Sequence, residues 1–203
     1  MNVLILGGFL GSGKTTVLLQ LARYLIGRTD PERANKVMII ENEVGQVGVD
    51  DGYLRGGGLQ VENLFAGCAC CSLAGELVST LDKIREQYDP AWVIIETTGI
   101  AMPGNIQMTL EGVMGLKSRI LVLADAQRWQ RLRVPLHDLL WGQIADSDAV
   151  LINKCDLVDP ETLDQVEREV RELDGKTSIF RVTALETIDE AVWQAALGQE
   201  ETT

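Results

Sequence analysis

The chain has 203 residues, a length that suits one domain, and its 46% apolar and 24% charged composition excludes a disordered protein. Its net charge of −12 works against binding a nucleic-acid backbone, whose phosphates that field repels. No apolar run approaches the ~20 residues that span a bilayer, and the apolar start Met1–Leu6 lacks a basic flank and runs straight into glycine, so neither a membrane span nor a signal peptide is expected.

In chain order, short apolar runs recur at Val3–Leu6, Val37–Ile40, Trp92–Ile95, Ile120–Leu123, Ala149–Ile152 and Ile179–Val182. Their length and β-branched content predict strands buried on both faces. Helical spacing lies between most of them, over Thr15–Ile26, Leu73–Ile84 and Pro160–Leu173, the last with Asp159 as N-cap and Pro160 in the first turn. The alternation predicts a three-layer α/β fold: a mainly parallel sheet of about six to seven strands with helices on both faces. Asp50–Gly58, rich in Asp and Gly, and residues 97–118, read as loop with a short helix, fit binding or switch loops. Residues 1–198 read as one domain, with 199–203 as a polar, frayed tail.

Gly8-Phe-Leu-Gly11-Ser12-Gly13-Lys14-Thr15 fits G-x-x-x-x-G-K-[ST], follows a predicted strand and opens a predicted helix, as a P-loop requires. Its glycines let backbone N–H groups turn towards phosphate oxygens, and the helix N-terminus adds partial positive charge. Lys14 would reach the β- and γ-phosphates, and Thr15 would offer its hydroxyl to Mg²⁺.

Three further strand ends carry chemistry. Glu41-Asn42-Glu43 through Asp50-Asp51 is an acidic loop whose carboxylates would bind Mg²⁺ or orient the attacking water. Glu96-Thr-Thr-Gly99 places an acid to hold Mg²⁺ through water and a glycine N–H to sense the γ-phosphate. Asn153-Lys154-Cys155-Asp156 is N-K-x-D. A carboxylate at Asp156 accepts from the N1–H and N2–H₂ of guanine, a donor pair that adenine lacks, so GTP and GDP are the expected ligands. Asn153 and Lys154 would hold and cover the base.

The chain has four cysteines, three of them in Gly67-Cys68-Ala-Cys70-Cys71. Clustering of this kind reads as a reduced, cytoplasmic thiol site rather than a disulfide framework. In an extended stretch Cys68 and Cys70 fall on one side and form a two-sulfur pincer for a soft or borderline cation such as Zn²⁺, Co²⁺ or Ni²⁺. Adjacent cysteines rarely both bind one ion without strain, so Cys71 reads as a structural residue beside the pincer. Three thiols make an incomplete zinc site, which suits a transferable ion. Buried structural cysteines and a redox switch stay open as alternatives. The one histidine, His137, reads as a surface or packing residue.

Together these motifs, in this order from Val3 to about Thr183, resemble the GTPase domain of the CobW family, related to HypB and UreG in the SIMIBI class of P-loop proteins. The P-loop match runs through Thr16. The resemblance implies slow GTP hydrolysis coupled to delivery of a metal or metallocofactor, cobalamin-related ones included, to a client metalloprotein or corrinoid protein, with GTP-dependent homodimerisation. It assigns Mg²⁺ and hydrolysis to Thr15, Glu41 and Asp50, alongside Lys14 and Glu96, and transition-metal binding to Cys68, Cys70 and Cys71. Three departures stand out: Gln46 where many relatives carry a second Glu, no histidine-rich stretch, and an end near residue 203, without the C-terminal domain of full-length relatives. A nucleotide-gated scaffold that carries no metal and a P-loop small-molecule kinase are the rival functions.

Overall fold

The computed structural model describes residues 1–41, 59–63 and 73–198. Asp50, Cys68, Cys70, Cys71, the glycine run Gly56–Gly58 and the tail 199–203 lie outside the described residues.

Among the described residues, seven strands form one sheet: β1 (Asn2–Gly8), β2 (Val37–Glu41), β3 (Leu59–Asn63), β4 (Trp92–Glu96), β5 (Ser118–Asp125), β6 (Ala149–Asn153) and β7 (Ser178–Arg181). Their spatial order is β3-β2-β4-β1-β5-β6-β7, and every neighbouring pair is parallel. The helices are α1 (Lys14–Arg28), α2 (Leu73–Gln87), α3 (Pro103–Thr109), α4 (Trp129–Leu132), α5 (His137–Ile144), α6 (Pro160–Leu173) and α7 (Glu190–Ala196). The stretch expected to be loop with a short helix is more helical than that: α3 continues into a π-helical turn, Leu110–Met114, closed by Gly115 at φ 64°. The backbone thus keeps its hydrogen bonds across the four glycines of residues 99–115.

Alternating side chains along each strand feed two cores. Val3 and Ile5 of β1 pack with Leu77, Leu81 and Ile84 of α2, Leu140 and Ile144 of α5, and Val166 and Val170 of α6. Leu4 and Leu6 face the other way, onto Val17, Leu18, Leu21 and Leu25 of α1 and Trp193 of α7. Because both faces are covered, the strands read as unbroken apolar runs rather than alternating ones. Helix α6 starts where the sequence placed it: Asp159 accepts from Thr162 N at 2.8 Å, a cap worth about 1 kcal/mol.

The order of the strands sets the site. The chain lays down β1, moves outward through β2 and β3, returns to place β4 beside β1, and then crosses to β5 on the other flank. A crevice at the carboxyl ends of the strands follows from that reversal, and ligands of open α/β sheets bind there. The carboxyl ends of β1, β2, β4, β5 and β6 carry Gly8, Glu41, Glu96, Asp125 and Asn153.

Candidate nucleotide site

The loop between β1 and α1 turns through Gly8 (φ 133°), Gly11 (φ 74°) and Gly13 (φ 100°). Side chains are strained at such angles. At Gly13 they would also collide, because a Cβ would sit 2.4 Å from Asn153 Nδ2. Lys14 opens α1 and is buried, and its Nζ donates to the Gly8 carbonyl at 3.1 Å. The first turn of α1 carries no acidic residue, so its N–H groups and dipole meet an anion unopposed. Thr16 continues the helix and is exposed.

The outer side of this loop is held by donors from far along the chain. Asn153 Nδ2 donates to Ser12 O at 2.8 Å, Lys154 Nζ donates to Gly11 O at 2.8 Å, and Arg128 Nη2 donates to Leu10 O. Ser12 N closes a turn on Phe9 O at 3.1 Å, and the Ser12 hydroxyl is buried without a hydrogen-bond partner. Lys154 adopts a left-handed conformation (φ 66°), a strained state for a residue with a side chain, held by two bonds from its ammonium.

The second bond of Lys154 goes to Asp125 Oδ2 at 2.7 Å, the oxygen that also accepts from Arg128 Nε at 2.7 Å. Burial pushes the pKa of the Asp125 carboxyl up, but the hydrogen bonds from Lys154 and Arg128 outweigh it and hold that pKa below the ordinary carboxylate value. Asp156 stands exposed two residues beyond Lys154, in the middle of a short 3₁₀ turn, Cys155–Leu157. Cys155 between them is half-buried, and burial pushes its thiol up, towards the protonated form.

Sequence reasoning missed the loop after β7. Ala184 N donates to Asn153 Oδ1 at 2.9 Å, so Asn153 joins this loop to the P-loop. Gln20 of α1 donates to Ala184 O at 2.7 Å and Glu186 O at 2.8 Å and accepts from Ile188 N at 2.9 Å. The Thr-Ala-Leu sequence there carries no chemistry of its own, so only its position reveals it. Asp125 and Arg128 were missed for the same reason.

On the other flank, Glu41 and Glu96 are register partners on β2 and β4. Glu96 is buried, and its Oε1 lies 3.5 Å from the Thr15 hydroxyl. That spacing is long for a hydrogen bond. A hydroxyl and carboxylates are hard donors, so the set fits Mg²⁺, which takes one or two protein oxygens and keeps several waters. Gly99 packs on the P-loop: a Cβ there would lie 2.6 Å from Leu10 N. Gln143 of α5 donates to Gly99 O at 3.0 Å and Ala101 O at 3.1 Å. The structure thus brings Gly8, Gly11, Ser12, Gly13, Lys14, Thr15, Glu96, Gly99, Asn153 and Lys154 into one crevice, with Glu41 in register beside Glu96. Among the described residues, no group of three or more His, Cys, Asp or Glu side chains is arranged to hold a metal ion. His137 is exposed and pairs with Asp138.

The family model described as CobW/HypB/UreG, nucleotide-binding domain, matches residues 2–181. The chain belongs to the CobW/HypB/UreG family. This family domain is 31% identical over 198 residues to the zinc chaperone CobW of a Sinorhizobium species, which covers 82% of the chain and 54% of the relative. It is 31% identical over 216 residues to zinc-regulated GTPase metalloprotein activator 1 of Schizosaccharomyces pombe, covering 98% of the chain and 50% of the relative. The chain therefore spans about half the length of the curated relatives it matches. Its fold is like that of the Zn(II)-bound YjiA GTPase from Escherichia coli, with a TM-score of 0.65 at 24% identity over 98% of this chain and 63% of that one. No helix among the described residues of this CobW/HypB/UreG-family domain is long and apolar enough to cross a membrane.

Proposed function

We propose that the chain is a cytoplasmic Mg²⁺-dependent GTPase that couples its nucleotide state to delivery of a transition metal, zinc in the first instance, to a client metalloprotein. The observation that supports the nucleotide half is the bonding of Asn153 and Lys154 to successive carbonyls of the P-loop, an arrangement that would join phosphate and base recognition in one crevice beside Asp156. The Asp156 carboxylate would accept from guanine N1–H and N2–H₂, and the stem of Lys154 would lie along the base. Lys14 and the inward-facing loop N–H groups would stabilise charge developing on the transferring phosphoryl group. Thr15, Glu96 and Glu41, with Asp50, would hold Mg²⁺, whose charge neutralises the phosphate oxygens when it is bound.

The metal half rests on the relatives' names, which describe zinc chaperones and a zinc-regulated activator, and on Cys68-Ala-Cys70-Cys71 in this sequence. Two thiolates and a third neighbour suit a borderline cation held for transfer, with Co²⁺ and Ni²⁺ as competitors for the same sulfurs. A GTP-dependent second copy would supply further ligands, and the client would receive the ion on hydrolysis.

Equilibrium dialysis with Zn²⁺, Co²⁺ and Ni²⁺, with GTP, GDP or no nucleotide, tests the coupling. The expected result is thiol-dependent binding of Zn²⁺ whose affinity differs between GTP and GDP and which is lost in the Cys68→Ser, Cys70→Ser double variant. Binding indifferent to nucleotide, or unchanged in that variant, refutes metal carriage and leaves a nucleotide-gated scaffold. Asp156→Asn tests the base: preference should move from GTP to xanthosine triphosphate, and a variant that still prefers GTP removes the guanine assignment.

A further inference from the structure

We infer that Asp125 and Arg128 are positioning residues that set the orientation of the P-loop peptides, with Asp125 making the base-covering Lys154 and the phosphate cradle into one mechanical unit. The inference rests on the nucleotide-binding reading of the P-loop and goes beyond it, because neither residue belongs to the P-loop or to Asn153–Asp156.

The geometry is specific. Asp125 ends β5, and its side chain is almost wholly buried, at 1% exposure, between two cations. Its Oδ2 accepts from both Lys154 Nζ and Arg128 Nε at 2.7 Å, and its Oδ1 accepts from Arg128 N at 3.1 Å. Each cation then uses a further N–H on the P-loop: Arg128 Nη2 on Leu10 O and Lys154 Nζ on Gly11 O. The guanidinium also lies over the Phe9 ring, 5.9 Å from its centroid, and close enough to Gly11 that a Cβ there would meet Nη2 at 3.0 Å. One buried carboxylate thus fixes two cations, and the two cations fix two consecutive loop carbonyls.

Peptide planarity turns that into control of the cradle. No cis bond occurs among the described residues, and in a trans peptide the C=O of one residue and the N–H of the next point in opposite directions. Holding the Leu10 carbonyl from outside therefore turns the Gly11 N–H to the opposite side, and holding the Gly11 carbonyl fixes the plane of the Ser12 N–H, which closes the turn on Phe9 O. Asn153 on Ser12 O likewise fixes the plane of the Gly13 N–H. The middle of a loop built on positive-φ glycines has little stiffness of its own, so these external bonds supply it. A buried carboxylate shared between two cations is also the costly kind of group that a fold keeps only when every partner is in place.

The division of labour gives the test. Arg128 bonds Leu10 and Asp125 but not Lys154, whereas Asp125 anchors Lys154 directly. Affinities for fluorescent GTP and ATP analogues are measured on the full chain for Arg128→Ala, Arg128→Lys, Asp125→Asn and Asp125→Glu, together with the thermal midpoint of the nucleotide-free protein. Arg128→Ala should weaken both nucleotides by about tenfold, the loss expected for one charge-assisted hydrogen bond, and leave the GTP-to-ATP preference unchanged. Arg128→Lys should recover part of that loss. Asp125→Asn should weaken GTP further and shrink the GTP-to-ATP preference, because Lys154 loses its anchor, and Asp125→Glu should partly rescue it. Wild-type affinity in either Arg128→Ala or Asp125→Asn, or equal loss of base preference in both, overturns the inference. If Asp125→Asn does not fold, the Arg128 pair decides it. Lys14→Ala is the control for the underlying reading: it should abolish triphosphate binding, and a Lys14→Ala protein that still binds removes the P-loop assignment rather than the clamp.

Discussion

Asn153 Nδ2 donates to the carbonyl of Ser12 at 2.8 Å, across 141 positions of sequence. The other end of the same amide accepts from Ala184 N at 2.9 Å. A single buried side chain therefore ties the phosphate loop to the loop after β7. Truncating it to Ala strands a carbonyl and an N–H together. We expect Asn153→Ala to destabilise the protein by about 2–4 kcal/mol in urea unfolding, two buried hydrogen bonds left unmade, and to weaken nucleotide binding at least about tenfold. Nucleotide affinity within twofold of the wild type would count against the coupling.

The Glu96 carboxylate meets the Thr15 hydroxyl at 3.5 Å and sits in register with Glu41. Glu96→Gln keeps the shape and removes the charge. Half-saturation of GTP hydrolysis by Mg²⁺ should then need about 10- to 100-fold more metal, the usual effect of losing a group that holds a metal through its water. GDP binding in the presence of a chelator should change little. A Mg²⁺ titration of single-turnover hydrolysis reads both, and an unshifted titration would remove Glu96 from the Mg²⁺ site.

Gly99 is pressed against the P-loop backbone. A Cβ there would lie 2.6 Å from Leu10 N and 2.9 Å from Leu10 Cα, and backbone atoms cannot step aside as a flexible side chain does. Gln143 meanwhile holds the Gly99 carbonyl from the other side at 3.0 Å. Gly99→Ala should therefore displace the loop and lower the hydrolysis rate by about 10²-fold, the scale set by misplacing a reacting group by about 1 Å. GDP affinity should stay close to that of the wild type, and parallel losses of GDP affinity and rate would contradict this placement.

The Asp125 carboxyl is held below its ordinary value by Lys154 and Arg128 in spite of its burial. A group whose folded value is depressed stabilises the fold above its unfolded value, near about 4, and loses that contribution as pH falls through the folded value. The clamp should therefore persist through mild acid and fail only below about pH 4. Urea unfolding of wild type and Asp125→Asn across pH 3–8 tests this: the stability difference should stay level from pH 8 to about 5 and close only at the acid end. A difference that closes near neutral pH would show that another group controls the clamp.

How much of this could be read from residues alone differs by element. Five strands were legible because both faces of each are covered, which makes them largely continuous apolar runs, and the edge strand β7 showed through Ile179 and Phe180 although its ends are exposed; β3, Leu-Gln-Val-Glu-Asn, alternates and gave no such run. Helix α6 announced itself through Asp159 and Pro160, whereas α4 and α7, of 4 and 7 residues, are too short to show a period. The P-loop and N-K-x-D were legible because their chemistry is local. The Arg128–Leu10 bond joins residues 118 apart, and nothing near Arg128 in sequence distinguishes it from any other surface arginine. Contacts of that range belong to the topology, since only the placement of β5 beside β1 brings Asp125 to the P-loop.

Helix α1 holds both ends of the crevice. Its first residue is Lys14 in the phosphate loop, and Gln20, less than two turns on, holds the loop of residues 184–188 by three hydrogen bonds. The rise between those two residues is about 9 Å. The spacing between these two loops is thus fixed by a rigid rod rather than by two loops that adjust independently. The loops are gauged against each other: neither can shift along the axis of α1 without breaking a bond to Lys14 or Gln20.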